Sequence, residues 1–226
     1  MRTSVLMHLA ILICSPLTAE ETEQRPKIGL ALSGGGMKAG AHIGVLRILE
    51  ANRVPVDYIA GTSAGAIIGG LYASGLTPDE IETAIRGVDW DDILQDTPVR
   101  RDLPFRRKRD DFNFLVKQRP GFSDGKLEFP MGLVQGQKVT QFLRRQLNAN
   151  IESQDFDELP IPLRVVTTDL ISGRAVVIGS GDLARAIRAS MSIPVFFAPT
   201  NIDGLRLIDG GPSNNLPVEV VREMGA

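Results

Sequence analysis

Gly61-Thr62-Ser63-Ala64-Gly65 joins the apolar run Tyr58-Ile59-Ala60 to the helical run Ala66-Ile67-Ile68-Gly69-Gly70-Leu71. A chain that passes from strand to helix in so few residues must turn sharply. The central serine of a G-x-S-x-G turn then projects its hydroxyl clear of the backbone, in front of the free N–H groups of a helix start. Gly61 and Gly65 permit the turn and the close approach of other atoms. Ser63 is therefore the candidate nucleophile. A serine hydroxyl needs a base, and no histidine follows it: the two histidines, His8 and His42, both precede Ser63. His8 falls in an apolar leader. His42 lies in the helical stretch Ala41-His42-Ile43-Gly44-Val45-Leu46 and reads as a packed helix residue, so the expected base is a carboxylate.

The remaining pattern predicts an α/β fold. Lys27 to Ser33 reads as a buried strand, Gly34-Gly35-Gly36 breaks it, and Gly40 to Ala51 continues as a helix. Val56 to Ala60 is a second strand, followed by the Ser63 turn and a helix over 64–74. This β-loop-α-β-turn-α opening belongs to a three-layer α/β/α fold with a mostly parallel central sheet. Thr77-Pro78-Asp79-Glu80 starts a helix with a capping box. Later helices are expected over Gln137 to Leu147, over Asp182 to Ser190 with Ser180 as cap, and over Leu216 to Met224. Strands are expected over Leu163 to Leu170, Arg174 to Ile178, Val195 to Ala198 and Leu205 to Ile208. Residues 96–130 look like an insertion over one end of the sheet. The run Arg100, Arg101, Arg106, Arg107, Lys108, Arg109 could meet anionic headgroups, although Asp102, Asp110 and Asp111 favour a solvated face. Pro120 to Gly125 is a turn-rich join between two short strands.

Composition narrows the function. The 226 residues are 43% hydrophobic and 23% charged with net charge -2, ordinary for one globular domain and without a nucleic-acid footprint. Residues 1–19 have Arg2, an apolar core from Val5 to Cys14 and a small Ala19 before Glu20, the build of a secretory signal peptide. The domain is then 20–226, exported across the inner membrane to a periplasmic, outer-membrane-associated or secreted destination. Bulky Ile13 argues against lipidation at Cys14. Removal of the leader takes away Cys14, the single cysteine, and with it thiol and disulfide chemistry. No Cys/His cluster for a metal remains, and no cofactor is expected.

Ser33-Gly34-Gly35-Gly36-Met37-Lys38 has two readings. Its glycine N–H groups could form an oxyanion hole with Lys38 adding positive charge and Ala64 N–H completing it. Alternatively, Gly34-x-Gly36-x-x-Ala39 is a dinucleotide fingerprint with Asp57 as ribose-binding acid. Asp57 precedes its apolar strand run instead of ending it, and that strand ends in the serine turn, so acyl transfer is favoured. Asp209 is the best carboxylate. It follows Leu205-x-Leu207-Ile208 at a strand end, and Gly210-Gly211 after it allow close approach. A plain turn aspartate is the alternative, and Asp169, Asp182 and Asp203 are weaker candidates.

Taken in order, the Gly34–Lys38 loop, the Gly61–Gly65 turn and Asp209-Gly210-Gly211 resemble the patatin-like phospholipases. The blocks Ala41–Leu46, Ala189-Ser190-Met191-Ser192-Ile193-Pro194 and Asn214-Asn215-Leu216-Pro217 resemble bacterial members. The resemblance spans about 26–226. It implies a Ser63–Asp209 dyad, a Gly34–Gly36 oxyanion hole, and a phospholipase A or lysophospholipase activity on glycerolipid at a membrane surface. Two departures stand out. Ala39 occupies a position where such loops usually carry glycine, and the chain ends at Ala226 where similar proteins continue into a further strand. The second suggests a truncated chain whose parent could carry an outer-membrane barrel. Apolar residues after Ser63 and around Phe196-Phe197 could line an acyl groove or pack the core. The alternative functions are a catalytically silent lipid- or partner-binding module, a dehydrogenase, and a transacylase.

Overall fold

The sheet is set by which apolar runs find a parallel neighbour. The computed structural model describes residues 25–95, 100–106, 108–109, 121–123, 126–128, 132–147 and 154–226. In order these form β1 (Gly29–Leu32), a 3-10 turn (Gly36–Gly40), α1 (Ala41–Ala51), β2 (Tyr58–Thr62), α2 (Ala64–Ala73), α3 (Pro78–Arg86), α4 (Trp90–Gln95) and a short 3-10 turn (Arg100–Asp102). Then come β3 (Gly121–Ser123), β4 (Lys126–Glu128), β5 (Gly132–Val134), α5 (Gln137–Leu147), β6 (Leu163–Asp169), β7 (Ala175–Ile178) and α6 (Leu183–Ser190). The chain continues through β8 (Val195–Phe197), β9 (Thr200–Ile202), β10 (Leu205–Asp209), α7 (Gly211–Asn214) and α8 (Val218–Glu223).

The α/β class is as expected. β1, β2 and β6 are parallel, Leu30 facing Ile59 and Ile59 facing Leu163, while β7, β10 and β9 extend the sheet antiparallel. Strand alternation divides the core. Ile59, Leu163 and Val165 point into the large cluster with α1, α2, α3, α5 and α6. Ala60 and Val166 point the other way, against Val220 and Val221 of α8. Helices thus cover both faces, the three-layer arrangement. From Gly65 to Leu71 every residue of α2 is buried; a helix apolar all round belongs inside.

The predicted capping box forms: Thr77 Oγ1 accepts from Glu80 N–H at 3.3 Å and Glu80 Oε2 accepts from Thr77 N–H at 2.8 Å. The cap of α6 differs from expectation. Asp182 Oδ1 accepts from Arg185 N–H at 3.0 Å, because Asp182 directly precedes the helix, whereas Ser180 pairs with Asp155 in a β-bridge. Four strands and α-helices were not read from the sequence: α4, β5, β9 and α7. The first packs Trp90 edge-on against Phe142 of α5, with ring centroids 6.2 Å apart. The β3–β4 hairpin brackets Asp124-Gly125 with Ser123 facing Lys126, and those two turn residues lie outside the described set. So do the leader, Arg107, Asp110 and Asp111.

Asp57, the ribose-binding alternative, instead anchors the sheet edge. It accepts two bonds from Arg25, both at 2.7 Å, and one from Ile28 N–H at 2.8 Å. The Arg25 hydrogen bonds, followed by that from Ile28, hold its carboxyl well below the usual carboxylate range. A depressed carboxyl contributes stability that is fully present above its unfolded pKa, about 3.9, and is lost as pH falls below it. Asp57→Asn is therefore expected to lower Tm at pH 7, with the gap to wild type closing as pH drops below about 4. A gap that stays constant from neutral to acid pH would show the carboxylate charge to be irrelevant.

Candidate active site

Ser63 and Asp209 meet because two strands end head-on against one neighbour. β2 runs parallel to β6, and its last pair is Thr62 with Val166. β10 runs antiparallel to β6, and its last pair is Asp209 with Thr167. β7 occupies the other edge of β6 over Val165 to Thr168. The carboxyl ends of β2 and β10 therefore converge on consecutive residues of β6. Ser63 Oγ donates to Asp209 Oδ2 at 2.6 Å, across 146 positions of sequence. Both side chains are buried, Ser63 8% and Asp209 7% exposed.

The serine sits in a backbone geometry that L-residues rarely adopt, φ 53° and ψ −123°. Such strain persists only where neighbours fix it. Here Ser63 N–H donates to Ser190 Oγ at 2.8 Å, and its carbonyl accepts from Ala66 and Ile67 N–H at 2.9 and 3.2 Å. Gly65 explains the close fit of α2 on β1: a Cβ there would stand 2.3 Å from the Leu32 carbonyl oxygen. The second oxygen of Asp209, Oδ1, accepts from Gly211 N–H at 2.7 Å. Both carboxylate oxygens are thus engaged, one by the backbone and one by Ser63. His42 donates from Nε2 to the Ser33 carbonyl at 3.0 Å and ties α1 to the end of β1, so the carboxylate is the group that meets the serine. Asp182 caps α6, Asp169 accepts from Ser172 N–H at 2.9 Å, and Asp203 lies in the β9–β10 turn.

The glycine loop divides its tasks. Gly34 N–H is committed to the Asn215 carbonyl at 3.2 Å, which removes it from the predicted set of oxyanion donors. Its missing side chain matters instead: a Cβ there would lie 3.0 Å from Ser63 Cβ and 2.7 Å from Asn215 Oδ1. Among the described residues the N–H groups of Gly35, Gly36 and Ala64 have no acceptor. The Lys38 side chain, expected to add positive charge, is exposed and makes no ion pair or hydrogen bond among the described residues, while its backbone N–H donates to the Gly35 carbonyl at 3.2 Å. Ala39 keeps a negative φ and is buried; alanine therefore fits where such loops usually carry glycine. A largely apolar cavity of about 240 Å³ opens beside Ser63, lined among others by Gly36, Ala64, Ile67, Ile68, Phe196 and Phe197. The arrangement offers a hydroxyl on a carboxylate, free N–H donors beside it and an apolar channel for a chain.

Residues 30–222 match the family model described as patatin-like phospholipase. The chain belongs to the patatin-like phospholipase family. Membership places the patatin domain among serine-based hydrolases of lipid esters. A patatin-like phospholipase domain-containing protein of Caenorhabditis elegans is 33% identical over 205 residues, 88% of this chain and 13% of its own length. Human patatin-like phospholipase domain-containing protein 6 is 32% identical, covering 88% of this chain and 13% of that protein. An uncharacterized NTE family protein of Mycobacterium tuberculosis is 31% identical, with 89% and 47% covered. The chain thus spans between 13% and 47% of the length of these relatives. Among solved structures, VipD from Legionella pneumophila shares the fold, with TM-score 0.52 and 18% identity over 85% of this chain and 47% of that one.

Two participants were not assigned a role from sequence, Ser190 and Asn215. Both lie in segments that carry the family resemblance, yet their tasks are long-range contacts with no local signature. Gly34→Ala is expected to slow phosphonylation of Ser63 by a fluorophosphonate about tenfold or more, since the added methyl pushes on Ser63 itself. An unchanged rate would show that the loop yields freely.

Proposed function

We propose that this domain is a lipid acyl hydrolase of the phospholipase A or lysophospholipase type, using Ser63 and Asp209 as its dyad. The observation that carries this is the 2.6 Å bond between the two side chains at the wall of an apolar cavity. Asp209 takes the Ser63 proton as Oγ attacks the acyl carbonyl carbon. The developing oxyanion lies toward the Gly35, Gly36 and Ala64 N–H groups, where donors fixed in advance lower the barrier. Protonated Asp209 then gives its proton to the leaving alcohol oxygen as the C–O bond breaks. Water repeats the sequence on the acyl-enzyme: Asp209 takes a water proton, the hydroxide adds, and Ser63 leaves reprotonated. The acyl chain occupies the cavity beside Ile67 and Phe196.

The substrate is a phospholipid or other glycerolipid presented at a membrane surface, and we infer export by the residues 1–19 leader, with a barrel-bearing parent protein as one form of delivery. The family match and the apolar lining support the lipid substrate; the leader composition supports export.

Ser63→Ala is expected to abolish release of fatty acid from phospholipid vesicles while the thermal melt stays cooperative. Asp209→Asn is expected to lower kcat by about 10²-fold or more. Folded wild type that binds vesicles but neither releases fatty acid nor reacts with a fluorophosphonate would favour the silent binding module. Ile67→Phe fills part of the cavity and is expected to shift ester preference toward shorter acyl chains, read as kcat/KM across a chain-length series. An unchanged preference would place the acyl chain elsewhere.

A further inference from the structure

We propose that Ser190 is a positioning residue for the dyad, its hydroxyl inserted as a spacer where β2 leaves β6. This rests on the Ser63–Asp209 reading of the site. The β2–β6 ladder ends at Thr62 and Val166. One step on, Ser63 N–H and the Val166 carbonyl do not bond to each other. Ser190 Oγ stands between them, donating to Val166 O at 2.5 Å and accepting from Ser63 N–H at 2.8 Å. The proton of Ser190 is committed to the carbonyl, so its lone pair is the group that faces Ser63. The same segment also grips the other catalytic strand. The Ser190 carbonyl accepts from Gly210 N–H at 3.3 Å, and the Ser192 carbonyl accepts from Asp209 N–H at 2.9 Å. Asp209 in turn pairs with Thr167, the residue after Val166.

Three consequences follow from this arrangement. The hydroxyl holds the β2 end apart from β6 by one hydrogen-bonded oxygen, leaving β10 its place beside Thr167. It fixes the positive φ of Ser63 from the N-terminal side, while Ala66 and Ile67 hold the carbonyl side. It also occupies the nucleophile's own N–H, leaving the oxyanion to Gly35, Gly36 and Ala64. One turn, from the end of α6 to Ser192, therefore references both members of the dyad to the same two residues of β6. Ser190 touches neither substrate nor reacting atoms and acts only through the geometry of Ser63 and Asp209.

The test compares Ser190→Thr with Ser190→Val, which have the same shape and differ only in the hydroxyl. Ser190→Ala accompanies them, and Ser74→Ala serves as control. Ser74 is equally buried and donates to Gly70 O at 2.5 Å, at the far end of α2. The readouts are kcat and KM on a soluble short-chain ester and the rate of fluorophosphonate labelling, each per folded protein from thermal melts. Misplacing a nucleophile by about 1 Å costs about 10²-fold, so Val and Ala are expected to lose about that in kcat and labelling. A positioning role leaves KM within about threefold. Ser190→Thr should recover most of the rate, and Ser74→Ala should lose stability without losing rate. Equal rates for Thr and Val overturn the proposal, as does a loss in Val that merely follows its folded fraction. If wild type is neither labelled nor active, the dyad reading fails and takes this one with it. If wild type reacts and all three Ser190 variants react like it, the spacer alone fails.

Discussion

The hydrogen bond from Ser63 Oγ to Asp209 Oδ2 depends on a single strand serving three partners. β6 carries β7 along one edge and shares its other edge between β2 and β10, which reach it from opposite directions. Two strand ends meet there, and two side chains 146 residues apart come within 2.6 Å. The surrounding structure serves that junction. α2 leaves it directly with its first turn pressed on β1, α8 backs the strands from the other face, and α6 delivers the segment that ties both strand ends together.

A carboxylate is a modest base for a serine hydroxyl, so geometry and environment must supply what an imidazole otherwise provides. Asp209 is buried, and each of its side-chain oxygens is met by a donor, Oδ1 by Gly211 N–H and Oδ2 by Ser63 Oγ, as a buried polar group requires. The remaining assistance falls to backbone N–H groups. Removing one oxyanion donor in well-studied enzymes costs about 2.7–4 kcal/mol. Among the described residues the N–H groups of Gly35, Gly36 and Ala64 stand without acceptors at helix starts, where the helix dipole adds to the same effect.

Much of this was legible in the sequence wherever the backbone demanded a special residue. Glycines flanking Ser63, the triple glycine after β1 and the pair after Asp209 each mark a place where a Cβ would collide or a turn must tighten, and such demands show locally. The Thr77 capping box was legible for the same reason. Contacts that arise only when distant segments fold together left no local trace. Nothing around Gly34 indicates that its N–H is taken by Asn215, and nothing around Lys38 indicates that its side chain stays in solvent. Ser190 reads as an ordinary small residue at a helix end, although its hydroxyl bridges two strands. The strand β9 escaped because Thr200-Asn201-Ile202 is short and half polar, and only its pairing with β10 makes it a strand.

The most direct measurement is a crystal structure of the chain after reaction with a long-chain alkyl fluorophosphonate. The account predicts phosphorus bonded to Ser63 Oγ, the phosphoryl oxygen within hydrogen-bonding distance of Gly35, Gly36 or Ala64 N–H, and the alkyl chain in the cavity beside Ile67 and Phe196. An adduct on another residue, or one on Ser63 whose phosphoryl oxygen faces solvent with the chain outside the cavity, would contradict it.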